Sequence, residues 1–346
     1  MSYTTIDNPG LFFNTVLYTG NGSSQSITGV GHQPDWVWIK QRSATENHNV
    51  TDSVRGATKT LEPNTSAAEA TYAQVVSAFG SDGFTVGTSD YVNKNTSTYV
   101  SWNWKAGGSA SSNSDGSITS SVSANTTAGF SIVSYTGTGS NATVGHGLGV
   151  APSMIIIKAR SAAESWTVYH KDLTSAAYNL TLNDTSAEAN NPSHFNSTAP
   201  TSSVFSIGTS GRVNVSSQTQ IAYCFADVKG YLKIGGYTGN GNADGTFVYT
   251  GFKPAWILSK RTDSSSGGEW NLLDNKRDTF NVADAKLEVN NSDAEETDVM
   301  YDILSNGFKI RAGDGNINAS SGTYIYMAFA ENPFVTAGTK AAGTAR

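Results

Sequence analysis

The sequence predicts an all-β protein made of three tandem antiparallel β-sandwich repeats of jelly-roll or concanavalin-like type. The first observation is an internal repeat. Residues 34–42 (PDWVWIKQR) return as residues 152–160 (PSMIIIKAR) and, with one residue fewer before the arginine, as residues 254–261 (PAWILSKR). Self-similarity at a regular spacing indicates tandem copies. The second is composition: 14% charged residues and 35 glycines suit many short strands and turns better than helices. Barrel closure of each repeat is the alternative.

The chain divides into three copies with short segments around them. A copy of about 100 residues can bury a modest hydrophobic core of its own. The predicted boundaries are an N-terminal lead over 1–10, copy one over 11–107, a Ser/Gly-rich linker over 108–128, copy two over 129–229, copy three over 230–334 and a flexible tail over 335–346.

The segment between copies one and two is rich in Ser, Gly, Asn and Thr, a composition typical of flexible linkers. We therefore expect copy one to sit apart. Copies two and three are joined almost directly, through residues 227–230, so we expect them to form one rigid unit. A fragment spanning 108–346 should then fold without copy one.

Each copy opens with a short strand and a glycine-rich turn. In copy one the strand at 16–18 ends in the turn 19–22 (TGNG), and the same signature stands at 135–139 and 237–241. Glycine tolerates the positive φ angles that such turns require. The chain is expected to reverse there and to enter the repeated stretch.

The repeated stretch reads as a strand that is covered on both sides. A proline, which cannot donate to a ladder, precedes β-branched and aromatic residues. Because side chains alternate faces, Trp36 and Trp38 point one way while Val37 and Ile39 point the other. Both faces are apolar, so this strand should lie at the centre of a sheet.

Three further features recur downstream in each copy. The first is a histidine or tryptophan beside apolar residues, and the second is a glutamate some twenty residues later. The third is an alternating last strand, as in Val100, Trp102 and Trp104. Residues 65–79 are the stretch in which a turn or two of helix is expected. The recurring positions are His48, Trp166 and Trp270, then Glu69, Glu188 and Glu295.

Composition also bounds the function. The net charge is -6, without a basic run that would bind nucleic acid, and no apolar stretch reaches the ~18 residues of a membrane span. The start of the sequence shows no signal peptide, so we expect synthesis in a cytoplasm. Cys224 excludes a disulfide framework within the chain and alternates with aromatic residues, which indicates a small buried side chain.

The sequence shows no catalytic constellation, so we expect no enzyme and assign no catalytic, cofactor-binding or metal site. His48 with Asp52, and His170 with Asp172, are close in sequence, but neither pair recurs in copy three. A site needs convergent partners, and these histidines show none.

Three other candidates have simpler interpretations. The recurring basic pairs can hold an anion, but they end buried strands and can pair with the recurring glutamates or with Asp52 and Asp172. The stretches 314–318 and 82–83 can ligate Ca²⁺, although such residues are more often turn formers. The tryptophans can form a sugar platform, but their recurrence favours core packing. The basic residues are Lys40, Arg42, Lys158, Arg160, Lys260 and Arg261, and the tryptophans are Trp36, Trp102, Trp104, Trp166, Trp256 and Trp270.

Several motifs resemble a family of structural proteins of tailed bacteriophages, seen especially in marine and cyanobacterial phages. The resemblance covers essentially the whole chain. It implies a virion component, made in the bacterial host and released by lysis, and it carries no catalytic residues. The motifs lie at residues 3–7 (YTTID), 13–15 (FNT), 17–22 (LYTGNG), 34–40 (PDWVWIK), 52–56 (DSVRG) and 327–334 (MAFAENPF).

Two classes of function remain open. The first is assembly, as a capsid decoration or head spike protein or a tail-fibre component, with other virion proteins and further copies of itself, as a homotrimer, as partners. The second is recognition of host surface glycan by loops at the sandwich ends. The lead and copy one are the expected docking end on the particle, and neither nucleic acid nor membrane is an expected partner.

Overall fold

The computed structural model describes residues 3–335, and in that range the fold is nearly all-β, with several antiparallel sheets. The predicted all-β class is confirmed. The predicted flexible tail, apart from Val335, lies outside the described residues.

Copy one begins after a one-turn 3₁₀ helix (Pro9–Leu11). Its elements are β1 (Phe13–Thr19), β2 (Gln25–Thr28), β3 (Trp36–Gln41), β4 (Asn49–Asp52), β5 (Lys59–Thr60), β6 (Ala70–Thr71), β7 (Val76–Gly80), β8 (Gly83–Val86), α1 (Asp90–Asn93) and β9 (Thr98–Trp104). The turn of helix predicted within 65–79 is wrong, because strands β6 and β7 occupy that stretch.

Two strands, β10 (Ser111–Asn113) and β11 (Ser120–Asn125), precede copy two. Copy two contains β12 (Phe130–Thr136), β13 (Ala142–Gly145), β14 (Met154–Ala159), β15 (Thr167–His170), β16 (Tyr178–Thr181), β17 (Ala189–Asn190), α2 (Pro192–Phe195), β18 (Val204–Ile207), α3 (Gly211–Asn214) and β19 (Thr219–Phe225).

Copy three contains β20 (Leu232–Thr238), β21 (Phe247–Tyr249), β22 (Phe252–Arg261), β23 (Trp270–Asp274), β24 (Ala283–Glu288), β25 (Glu296–Leu304), β26 (Gly307–Ile310) and β27 (Thr323–Pro333).

The same ladder of four antiparallel strands appears in each copy. The orders are β1-β9-β3-β4, β12-β19-β14-β15 and β20-β27-β22-β23. In each, the repeated stretch lies between the last strand of the copy and the strand that follows it. All six residues of β3 and of β14 are buried. The prediction of a central strand covered on both faces is confirmed.

The two faces of the ladder pack against different partners. In copy one, Val37 and Ile39 join Phe84 and Val86 of the sheet β2-β8-β7 in a small core. The opposite face carries tryptophans, such as Trp36, into a larger core that contains residues of all three copies.

This shared core is lined by aromatic rings that meet across copies. Ring pairs at such separations add about 0.5–1.5 kcal/mol each beyond area burial. The expectation that copy one sits apart is therefore wrong, because its tryptophan face is apolar and is covered by the other two copies. Ring centroids lie 4.4 Å apart for Trp36 and Tyr223, 5.7 Å for Trp104 and Trp256, and 6.2 Å for Phe225 and Phe329.

The flexible linker expected over 108–128 is also wrong for much of its length. Strand β11 pairs with β12, and β10 pairs with β11 at the edge of the sheet. An edge strand needs only one apolar face. Val122, on β11, and Ile118, just before it, are buried and supply this face within an otherwise polar segment.

A buried asparagine secures each glycine-rich turn. In copy one, Asn93 accepts from the amide of Asn21 and donates to the carbonyl of Gly87. A side chain on Gly20 would place its Cβ 2.2 Å from the carbonyl oxygen of Lys94, so only glycine fits there. The equivalent pairs in the other copies are Asn214 with Gly137 and Asn318 with Gly239.

Candidate functional site: the junctions between copies

Three equivalent backbone hydrogen bonds join the copies in a closed ring. In each bond, the backbone amide of a recurring glutamate donates to a backbone carbonyl of another copy. The acceptor is the last residue of the repeated stretch in copies one and two, and the residue after it in copy three. We name the junctions by the copies they join. The bonds run from Glu69 to Arg160 at 2.8 Å (junction 1–2), from Glu188 to Thr262 at 2.8 Å (junction 2–3) and from Glu295 to Arg42 at 2.9 Å (junction 3–1).

The recurring histidine and tryptophans bind across the same junctions. Each directs a ring N–H to a carbonyl of another copy, a role that the sequence pattern had not revealed. The bonds are Trp166 Nε1 to Glu62 O at 2.9 Å, Trp270 Nε1 to Thr181 O at 2.9 Å and His48 Nε2 to Glu288 O at 3.1 Å.

His48 stands where the other copies have Trp166 and Trp270, and one defined tautomer of its ring donates the equivalent hydrogen bond. The indole Nε1–H of Trp38, which can only donate, binds Nδ1 of His48 at 2.9 Å. The ring proton of a neutral His48 is therefore on Nε2 and is donated to the carbonyl of Glu288. Burial lowers the pKa of His48 well below its ordinary value, with Lys40 adding to the effect, so the ring is neutral.

Junction 1–2 contains a chain of buried charges. Arg55 binds Asp52 within copy one, and both side chains are fully buried. Arg55 also contacts Glu69 at 3.3 Å, and Glu69 receives two hydrogen bonds, at 2.8 and 3.0 Å, from Arg160 of copy two. Tyr223 of copy two donates its hydroxyl to Asp52 at 2.7 Å. Arg55 and Arg160 lower the pKa of the Glu69 carboxyl despite its partial burial.

Junction 3–1 repeats this arrangement with a different aromatic donor. Arg277 binds Asp274 at 2.6 Å and Glu295 at 3.1 Å. Arg42 of copy one donates to both oxygens of Glu295, at 2.8 and 2.6 Å. Trp102 of copy one donates its indole N–H to Asp274 at 3.0 Å. Arg42 and Arg277 hold the pKa of the Glu295 carboxyl below its ordinary value.

Junction 2–3 has the same geometry without the ion pairs. The residues at the equivalent ladder positions are His170 in place of Asp52 or Asp274, and Met327 in place of Tyr223 or Trp102. Thr262 stands where Arg42 and Arg160 stand, and Leu173 follows His170 at the spacing of Arg55 after Asp52. A buried carboxylate here would lack its donors, and a neutral His170 avoids that cost.

His170 is neutral in this setting. Its Nδ1 accepts the amide N–H of Asp172 at 3.1 Å, and Nε2 faces the carbonyl of Tyr326 of copy three at 3.5 Å. Burial lowers the pKa of His170 to about 3. The pair of His170 and Asp172, singled out in the sequence, is therefore a local turn contact.

The prediction that the basic residues pair with the recurring glutamates is confirmed for Arg42 and Arg160, and both pairs cross a junction. It is wrong for Arg261, which binds Asp263 of its own loop at 2.7 Å. The missing residue before Arg261 places it one position earlier on the strand, and a shift of one residue turns a side chain to the other face.

The prediction that the three lysines pair with carboxylates is also wrong. Each is buried and donates to two carbonyl oxygens, and burial lowers each pKa to about 8. Within the described residues no carboxylate lies in ion-pair distance of them. The acceptors are Gln41 and Ser292 for Lys40, Ala159 and Ala162 for Lys158, and Arg261 and Thr185 for Lys260.

The candidate calcium ligands are turn formers. The carboxylate of Asp82 accepts from the amides of Gly29 and Gly31, and that of Asp314 accepts from the amide of Asn316. In the part of the chain that the structure describes, no three His, Cys, Asp or Glu side chains converge as a metal site.

The tryptophans and the cysteine lie where core packing places them. All six candidate platform tryptophans are buried, as is Cys224, and burial raises the pKa of the thiol. The buried Asp–Arg pairs were missed from sequence, although one signal was present. Asp52 and Arg55 have the spacing of Asp274 and Arg277.

The comparisons with known proteins give one family. The sequence family described as "Domain of unknown function (DUF7483)" matches residues 8–333. No curated protein and no solved structure matches the chain. None of the helices between residues 3 and 335 has the length and apolarity that a membrane crossing requires.

Proposed function

The chain belongs to the DUF7483 family, and we propose that it is a non-enzymatic structural protein of a bacteriophage virion. Its place on the particle would be that of a capsid decoration or spike protein or of a tail-fibre component. The observation that carries this proposal is the closed ring of junctions, in which buried side chains of all three copies serve to hold the copies together.

The chemistry of the junctions supports a mechanical role. At junction 1–2, Asp52 and Arg55 are fully buried, and each charge has a hydrogen-bonded partner. Buried pairs of this kind contribute little net stability, but removing one partner costs about 3–5 kcal/mol. A separation of the copies would remove Tyr223 from the buried Asp52 carboxylate and Arg160 from Glu69, and it would expose the aromatic faces. The three copies therefore behave as one stiff block, as a particle component requires.

We further propose that each copy is a small β-sandwich of jelly-roll or concanavalin-like type. The support comes from the two faces of each ladder. In copy two, Ile155 and Ile157 face Phe205 and Ile207 of strand β18, while Ile156 faces the shared core.

The homotrimer expected from the sequence stays a prediction. The central strand with two apolar faces cannot supply its interface, because both faces of β3 are covered within this chain. A homotrimer would use other surfaces. The exposed aromatic side chains of copy three, Phe247, Tyr249 and Phe280, are the residues to examine first.

Mass spectrometry of gradient-purified particles of the encoding phage tests the proposal. The chain should be present at a stoichiometry of at least several copies per particle, and its absence from infectious particles would overturn the proposal. A cryo-EM reconstruction then separates the two positions. Density on the capsid lattice makes the chain a decoration protein, whereas density at the tail makes it a fibre component.

The alternative function is recognition of host surface glycan. One observation favours it: copy two has a polar cleft next to junction 2–3, and its wall includes buried polar side chains, His194 and Asn179, that make no hydrogen bond across a junction within the described part of the chain. A ligand site in that cleft would not require the chain to be part of a virion.

A further inference from the structure

A cleft of about 420 Å³ opens on copy two between strand β16 and the one-turn helices α2 and α3. A volume in this range is typical of small-molecule sites. Its walls carry amide, hydroxyl and charged side chains. Two of the lining residues, His194 and Asn179, are almost completely buried, at 3% exposure each.

Both of these buried side chains have an unpartnered polar atom. Among residues 3–335, Nδ1 of His194 and Oδ1 of Asn179 have no hydrogen-bond partner. A buried polar group left unpaired costs about 1–3 kcal/mol. The two residues belong to different elements, β16 and α2, and both line the same cleft, so a single bound molecule can contact both side chains.

The other copies place an apolar residue where copy two places His194. Equivalent positions in the three copies share one backbone hydrogen bond. The carbonyl of the residue at this position accepts from a backbone amide in the strand or loop that follows. Gly208 donates to His194, Gly87 donates to Val75, and Arg311 donates to Met300, all at 2.8 Å. Val75 and Met300 are fully buried. The fold thus accepts an apolar side chain at this position, and His194 is not required for packing.

Asn179 also differs from the residues at its position in the other copies, which are polar but have partners. Thr60, at this position in copy one, accepts from the side chain of Asn49. Lys286, at this position in copy three, forms an ion pair with Glu288 at 2.9 Å. Only in copy two does the residue at this position keep an unpartnered buried atom, within the described chain.

The charges of the cleft define the ligand class. Arg212 donates to the hydroxyl of Thr181 at 3.1 Å and so holds a guanidinium at the wall. The carboxylates of Glu164 and Asp184 line the same space. The two carboxylates repel an anionic ligand, and the guanidinium repels a cationic one. The cleft therefore favours a neutral ligand. Burial lowers the pKa of His194 to about 4, with Arg212 adding to the effect, so the imidazole is neutral at pH 7.

We propose that this cleft binds a neutral carbohydrate through its hydroxyl groups. A sugar hydroxyl both donates and accepts, so neighbouring hydroxyls can donate to Nδ1 of His194 and to Oδ1 of Asn179. Others can accept from the Arg212 guanidinium and donate to Glu164 or Asp184. Copies one and three lack this set of residues, and the site therefore belongs to copy two alone.

Saturation-transfer difference NMR on the full chain tests this proposal with D-glucose, D-galactose and N-acetyl-D-glucosamine as probes. We expect a signal for at least one sugar. We expect at least a tenfold loss of that signal in His194→Val, which installs the residue of copy one, or in Asn179→Thr, which does the same. The control is Thr126→Ala, in a separate cleft near residues 105–108, and it should bind as the parent does.

Thermal melts keep the result interpretable. His194→Val should melt at or above the parent temperature, because it removes an unpaired buried atom. If that variant fails to fold, Asn179→Thr decides. The proposal is overturned if no sugar gives a signal, if inorganic sulfate alone binds, or if every folded cleft variant binds as the parent does. None of these outcomes bears on the presence of the chain in purified particles, so the two proposals fail separately.

Discussion

The indole N–H of Trp102, in copy one, donates to the carboxylate of Asp274, in copy three, at 3.0 Å. The carboxylate is fully buried and is also held by Arg277. Burial alone would raise the pKa of the Asp274 carboxyl, but these donors lower it. A tryptophan that the sequence assigns to a core strand is thus also a donor to another copy. The equivalent donor at junction 1–2 is Tyr223.

The first prediction concerns removal of copy one. The sequence alone led us to expect a folded fragment 108–346. The structure reverses this expectation, because the fragment would expose Tyr223, Trp256 and Phe329, which pack on rings of copy one. We expect the fragment to be aggregated or to lack a cooperative thermal transition, with the full chain as control. A monomeric fragment with a sharp melt, by size exclusion and circular dichroism, would contradict the closed-ring description.

The second prediction compares two equivalent glutamates. Glu69→Ala leaves Arg160 and the buried Arg55 without a shared partner and should lower the free energy of unfolding by about 3 kcal/mol. Within the described residues, the Glu188 side chain accepts hydrogen bonds from Thr174 alone, so Glu188→Ala, at the neutral junction, should cost about 1 kcal/mol or less. Urea denaturation of both variants measures the difference. Equal losses would show that the ion pairs do not distinguish the junctions.

The third prediction concerns a variant that introduces the missing ion pair at junction 2–3. Thr262→Arg places an arginine at the position of Arg42 and Arg160, where the carbonyl of residue 262 already accepts from the amide of Glu188. In a double-mutant cycle with Glu188→Gln, we expect a favourable coupling of about 1 kcal/mol. The cycle isolates the pair from the lost contacts of the Thr262 hydroxyl. A coupling near zero would mean that the equivalence of the three junctions does not extend to side chains.

The fourth prediction is a loss of stability in mild acid. All five histidines are buried, and burial lowers the pKa of each below 6.5. The unfolded chain therefore binds more protons than the folded chain below about pH 6.5, and the free energy of unfolding falls as the pH falls. Each histidine contributes at most about 1.4 kcal/mol per pH unit.

Urea midpoints at pH 7 and pH 5 measure this effect, above the range in which most carboxylates titrate. The midpoint should be lower at pH 5. The difference between the two midpoints should be smaller in His194→Val, because this variant has one buried histidine fewer. A midpoint independent of pH between 7 and 5 would show that the histidines become protonated without unfolding.

Local patterns in the sequence were enough to predict the repeated central strand and the glycine-rich turns. The alternation of β3 and the proline before it identify a central strand without reference to any other residue. The turn at 19–22 is equally local, because glycine is required by the backbone of the turn and by its close approach to Lys94. Such signals depend on neighbours along the chain, so they can be read directly.

The partners across the junctions depend on how the chain closes. Three copies of one pattern do not state whether Glu69 meets an arginine of its own copy or of the next, since the residue types are the same in both cases. The segment 108–128 shows the same difficulty, because its few apolar residues form a strand only where β12 offers an edge. Strand pairing and burial across copies are properties of distant segments, and they arise when the shared aromatic core brings those segments together.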